Sequence, residues 1–285
     1  MGERSDHRGG FTLIECLVVI AIIAMLIALF MPALEASRGT ARRVSCQSNL
    51  MRIGLALDAY SQTSGVLPPG VVTGRTPAEV TAEEPMFGWM SFILPELDYP
   101  QTAAAIDRSV SVFAEPNDPL HTLTLPILVC PTDRTRGRSS YVGIQGSNPG
   151  PIDADENGLF FANSRLRMSD IVDGRSSTLM LSETAVSAPP SWVTGSRTTI
   201  RYATLGSPPT DRRVRLWTGK DVREGPPDRP QPEWYETASL NSLHGQYALA
   251  VMADGRGVTL NYFIDQGLLR QLADRDDREP IGGFQ

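Results

Sequence analysis

The chain has 285 residues, with 26 Lys and Arg against 32 Asp and Glu and a net charge of −6. That balance argues against nucleic acid as a partner, which demands a basic face. Its three cysteines include no Cys-x-x-Cys pair, and its three histidines form no cluster in sequence, so spacing alone marks no metal site.

From the N-terminus, the first informative segment is an apolar run from Phe11 to Leu34, interrupted by a single charge, Glu15. At about 1.5 Å per helical residue, such a run crosses a hydrocarbon core of about 30 Å. A cleaved secretory signal fits poorly. The run is too long, and the small residues Gly9 and Gly10 precede it rather than follow it. An uncleaved signal anchor is a stronger rival, but it leaves Glu15 unexplained. A carboxylate in an apolar helix is expensive and points to function.

The segment Gly10-Phe11-Thr12-Leu13-Ile14-Glu15 resembles the prepilin peptidase site of type IV pilins and type II secretion pseudopilins. The resemblance implies cleavage after Gly10, N-methylation of Phe11, and a role for Glu15 in assembly. In that family, the Glu is thought to pair with the N-terminal amine of a neighbouring subunit. Two opposite charges in lipid are tolerable together and costly apart, so pairing sets the stagger of packed helices. Pro32 also matches the family, which often kinks or melts its helix near there. A proline removes one helical hydrogen bond and clashes with the preceding turn. The leader departs from the family in one respect. Arg4 and Arg8 are offset by Glu3 and Asp6, whereas such leaders are usually net basic.

The helix is predicted to continue to Ser64. Cys46, Leu50, Ile53, Leu57 and Tyr60 fall on one face, while Arg38, Arg42, Arg43, Gln47, Asn49 and Arg52 occupy the others. Gly54 is a tolerated weak point. Gly65 and Pro68-Pro69-Gly70 end the helix. Beyond it, abundant Pro and Gly predict short strands and many loops. A loop with a Thr-Pro-Ala-Glu helix start is expected over 71–84, a short buried helix over Gly88–Leu97 and a helix over Gln101–Val112. Strands are expected at Ser140–Ile144, Gly158–Phe161 and Thr178–Glu183, with a short helix or turn at Ser169–Gly174 before the last. Residues 186–235 read as a long insertion rich in Pro, Arg and Gly. Tyr247–Ala253 and Val258–Phe263 read as a hairpin turning at Asp254-Gly255, followed by a short helix over Leu268–Ala273.

Several pieces together resemble a large pilin-like family, abundant in planctomycete-type bacteria, whose soluble part is a domain of unknown function. They are Arg42-Arg43-Val44-Ser45-Cys46-Gln47-Ser48-Asn49-Leu50 with Ile53-Gly54-Leu55-Ala56-Leu57, and Leu67-Pro68-Pro69-Gly70. Further along stand Trp89 to Leu94-Pro95, Cys130-Pro131-Thr132-Asp133, Ser140-Tyr141-Val142-Gly143 and Asp170-Ile171-Val172-Asp173-Gly174. The closing signature is His244 with Asp254-Gly255. One departure is Gln246-Tyr247, where the family usually has a Gly-Gly pair soon after its His. The resemblance implies a fold and an export route and leaves the biochemical role open.

Export would place Cys46 and Cys130 in an oxidising compartment, where a disulfide between them would staple the long helix to the globular domain. The other reading is two buried free thiols. Cys16, within the apolar run, is a small apolar filler. Asp153, Asp155 and Asn157, with Gly158, resemble the first half of an EF-hand calcium loop. The closing Glu position is Ser164 and no flanking helices are evident, so the EF-hand reading fails and only a looser calcium site stays open. The plainer reading is a polar turn. His244 and Asp254, with Ser239 or Ser242, have the residue types of a catalytic set, but their spacing is that of a structural hairpin. No nucleophile elbow or phosphate loop is present. Glu183 is expected to pair with an arginine.

The expected architecture is therefore α+β and pilin-like: a long N-terminal helix, transmembrane in its first half, packed on a C-terminal domain with an antiparallel sheet. The divisions are a leader at 1–10, a transmembrane and assembly half at 11–34, an amphipathic continuation at 35–64, a soluble domain at 65–273 and a loose tail at 274–285. The expected protein is a non-enzymatic structural subunit with no resident cofactor. It sits in the inner membrane as a single-pass protein with a periplasmic C-terminal domain. Its partners are prepilin peptidase, other pilin-like subunits and the membrane. The rival is a membrane-anchored periplasmic binding or enzymatic domain that never polymerises.

Overall fold

A computed structural model describes residues 13–74, 85–133, 139–147, 152, 156–184, 191–196, 199–203, 205, 240, 242–245 and 247–279. The chain divides into two compact units, Met1–Arg42 and Arg43–Gln285. Helix α1, Leu13–Ser64, supplies the described part of the first unit and opens the second. It is assigned helical on both sides of Pro32, so the proline does not melt it. In the first unit its apolar side chains are exposed, Leu13, Ile20, Met25, Leu29 and Phe30 among them.

In the second unit, Cys46, Leu50, Ile53, Ala56 and Leu57 of α1 are buried, on the face that the four- and three-residue spacing marks. They join Tyr141, Met180, Leu181, Leu249 and Val251 in one apolar cluster. The strands behind that cluster are β3 (Tyr141–Ile144), β4 (Leu179–Glu183), β5 (Ile200–Arg201), β6 (Tyr247–Met252) and β7 (Gly257–Asn261), ordered β5-β3-β4-β6-β7. A two-stranded sheet pairs β1 (Val71–Val72) with β2 (Phe87–Gly88).

A second cluster holds Val142, Ile144, Leu179, Ala250, Met252 and Leu260 against Leu269 and Leu272. The last two belong to a helix at Gln266–Ala273, here α2, capped by the Asp265 carboxylate, which accepts the Leu268 N–H at 2.9 Å. The five-stranded sheet is thus covered on both faces. That is why β4 and β6 read as continuous apolar runs rather than alternating ones. Burying a large aliphatic side chain contributes about 1.5–3 kcal/mol, so these two clusters dominate the fold's stability.

The structure bears out the expected α+β plan and corrects it in detail. The sheet is antiparallel except at its edge, where β5 pairs parallel with β3. That strand lies inside the expected insertion. Trp192 and Val193 of the same stretch are fully buried, and the Trp192 indole N–H donates to the Leu123 carbonyl at 2.9 Å. Residues 191–196 and 199–203 are therefore fold rather than insertion, whereas 206–239 lie outside the described residues. The Thr-Pro-Ala-Glu start over 71–84 falls largely outside them too.

Gly88–Leu97 forms two 3-10 turns, Trp89–Ser91 and Pro95–Leu97, because Pro95 interrupts the ladder a longer helix needs. Of the expected Gln101–Val112 helix only the first four residues are helical, within a short helix at Pro100–Ala104. Asn117 organises the rest instead: its amide donates to the carbonyls of Asp107 and Ser111 and accepts from the Asp107 N–H. Gly158–Phe161 is not a strand. Its Leu159 and Phe160 N–H groups converge on one carbonyl, that of Ile144. The tail is docked over its described part, 274–279. The Arg275 guanidinium donates to the carbonyls of Glu156 and Gly158, and the Asp277 and Arg278 N–H groups donate to the Asp173 carboxylate. Residues 280–285 lie outside the described residues.

Candidate functional site

In the first unit, the chemistry available is an exposed apolar helix whose run to Leu34 carries one carboxylate, Glu15. Among the described residues, α1 is the one helix long and apolar enough to cross a membrane. Glu15 lies in its first turn, where the helix dipole favours a negative charge. Gly10 and Phe11, the expected processing pair, lie outside the described residues.

In the second unit, four segments far apart in sequence converge on one buried centre. Cys46 comes from α1, Cys130 from the loop after the Pro126–Leu128 turn, Glu183 from the end of β4, and His244 from the loop before β6. Cys46 and Cys130 form a disulfide, with 4.9 Å between their Cα atoms and 84 residues between them in sequence. His244 Nε2 stands 3.4 Å from Cys130 Sγ and 3.2 Å from Glu183 Oε1. The His244 and Glu183 side chains are 5 % and 4 % exposed, so the centre is nearly dry.

The surroundings fix each member. Glu183 Oε2 accepts from the Ser242 hydroxyl at 2.8 Å and from the Leu249 N–H at 3.3 Å. The same Ser242 oxygen accepts the His244 N–H at 3.1 Å, and the Ser242 N–H donates to the Tyr262 hydroxyl at 2.7 Å. The Cys130 N–H donates to Ser140 Oγ at 3.1 Å. Tyr141, which pairs with Glu183 across β3 and β4, donates its hydroxyl to the Cys46 carbonyl at 3.3 Å. Burial pushes the Tyr141 hydroxyl pKa up, with the Glu183 charge adding to the effect.

The remaining predicted residues lie elsewhere. Asp254 and Gly255 make the β6–β7 turn: Gly255 has φ +85°, and the Asp254 carboxylate accepts the Arg256 N–H at 2.8 Å. His244 and Asp254 stand at opposite ends of β6, so the structure does not bring them together as a catalytic pair. Asp153 and Asp155 lie outside the described residues. Asn157 is engaged within the fold, its amide meeting Ser147 and the Asp274 carboxylate.

The structure corrects two sequence expectations. Glu183 pairs with a histidine, not an arginine. Cysteine, histidine and carboxylate groups do cluster, although no spacing in the sequence announces it. The signal was present in part, since Cys46, Cys130 and His244 all lie in the family-like segments and Glu183 is a charge at the end of an apolar strand.

A family model described as a protein of unknown function (DUF1559) matches residues 35–267. The chain belongs to that family. A second model, described as a prokaryotic N-terminal methylation motif, matches residues 6–31. Searches of curated proteins and of solved structures return no match. As a DUF1559 member with a prepilin-type methylation motif and a long apolar N-terminal helix, the chain is pilin-like. The motif implies processing by prepilin peptidase and association with pilin-like subunits in general, and the helix is compatible with membrane anchoring.

Proposed function

We propose that this chain is an exported structural subunit that assembles through its N-terminal helix into a filament or a secretion pseudopilus. Prepilin peptidase cuts after Gly10, and Phe11 becomes the methylated N-terminus. The helix holds the chain in the inner membrane as a single span, with the C-terminal domain in the periplasm, until assembly. Its own work is packing and surface recognition rather than catalysis.

The observation that carries this reading is the exposed apolar surface of α1 with one carboxylate, Glu15, in its first turn. Such a surface needs lipid or other helices to cover it. The prepilin-type motif supports a role for this carboxylate in assembly, where it would meet the methylated amine of a neighbouring subunit. Replacing Glu15 with Ala in the producing cell tests it. Cleavage and membrane insertion should persist, while assembly into sheared, sedimentable filaments is lost. Assembly and localisation unchanged in Glu15→Ala would favour the rival, a membrane-anchored binding or enzymatic domain that does not polymerise.

A further inference from the structure

We infer that Cys46, Cys130, Glu183 and His244 form a redox-gated cation site, closed while the two sulfurs are joined and able to hold one zinc-class divalent cation when they are reduced. The ligand atoms of the four residues all lie within 4.8 Å of one another. Two sulfurs, an imidazole nitrogen and a carboxylate oxygen are a donor set that tetrahedral zinc accepts.

A disulfide alone does not account for the other two residues. It has no proton to donate, and its sulfurs accept hydrogen bonds weakly, so an apolar wall would pack against it as well. Burying an imidazole and a carboxylate beside it costs several kcal/mol in lost hydration. Here that burial is accompanied by ligand orientation. Ser242 and Leu249 hold Oε2 of Glu183, leaving Oε1 facing the centre. His244 turns Nε2 toward both Oε1 and Cys130 Sγ while its backbone is tied to Ser242. Groups that orient ligands in this way tune metal affinity. The residues on either side of His244, Leu243 and Gly245, are exposed, so the centre lies close beneath the surface.

The chemistry balances as follows. A water-soluble phosphine reduces the S–S bond and becomes its oxide, one water supplying the oxygen and the two thiol protons. The sulfurs separate to roughly 3.8 Å, the spacing set by zinc–sulfur bonds of about 2.3 Å in a tetrahedron. Cation binding then releases both thiol protons to solvent. A small-molecule disulfide takes two electrons from the thiolates and is itself cleaved to two thiolates, while the Cys46–Cys130 bond re-forms and the cation is expelled.

The test uses the full chain in detergent, reduced with the phosphine, freed of it without air, and titrated with cobalt(II). One equivalent should bind with thiolate-to-cobalt charge transfer and tetrahedral ligand-field bands, and zinc should bleach both. The oxidised chain should give neither. His244→Ala and Glu183→Gln keep both cysteines, and circular dichroism of their oxidised forms checks the fold; each should weaken cobalt binding about tenfold or more. No thiolate charge transfer in the reduced chain, or binding unchanged in both variants, overturns the inference. So does a reduced chain that unfolds and does not refold with zinc.

Discussion

The Asp107 carboxylate accepts from the Ser109 hydroxyl at 2.6 Å and from the Ser109 N–H at 2.9 Å. These bonds, the hydroxyl's first, hold its pKa below the ordinary 3.8. A pKa depressed by folding means stability that is present above the ordinary value and lost as pH falls through the folded one. Ser109→Ala removes the larger cause, so the Asp107 midpoint should rise toward the ordinary value in an NMR titration. A midpoint that stays put would assign the depression to something else. At the same scale, Glu183 shows what a side chain's surroundings can hide from the sequence. It ends an apolar strand in a chain rich in arginine, yet its contacts are Ser242, His244 and Leu249. All three come from residues 242–249, about sixty positions along the chain.

Among the elements, the contact between α1 and the sheet is the most sensitive to shape. A Cβ on Gly54 would come within 2.9 Å of Val251 Cγ1 and 3.6 Å of Met180 Cε. The glycine that weakens the helix locally is what lets the helix approach β4 and β6. Gly54→Leu should therefore destabilise the second unit by about 1–3 kcal/mol, read by denaturant unfolding of the full chain in detergent. An unchanged midpoint would mean that the helix does not pack this closely. The second half of α1 was legible from its helical period, and β4 and the β6–β7 hairpin from short apolar runs bounded by turn residues, because burial leaves both kinds of trace. The 3-10 turns from Trp89 to Leu128 were not. There, prolines at 95, 119 and 126 and the side-chain bonds of Asn117 decide the backbone, and neither leaves a periodic trace. β5 was hidden for a related reason: two residues at a sheet edge, inside a stretch whose composition reads as loop.

At the scale of the whole molecule, the Cys46–Cys130 bridge ties α1 to the loop before β3 across 84 residues. By the chain-entropy account, such a closure stabilises the fold by up to about 4–5 kcal/mol, acting on the unfolded chain. Cys130→Ser should lower the unfolding midpoint of the second unit accordingly, and a midpoint equal to wild type would show the bridge to be dispensable. The N-terminal helix and the sheet domain serve different ends. The domain builds its own core, whereas the exposed apolar helix of the first unit depends on what surrounds it. Processing connects that helix to its surroundings. The most direct test is the intact mass of the protein extracted from the membranes of the cell that makes it. The mature protein should begin at Phe11 and carry one added methyl group. A chain that begins at Met1, with or without a formyl group, would contradict that processing.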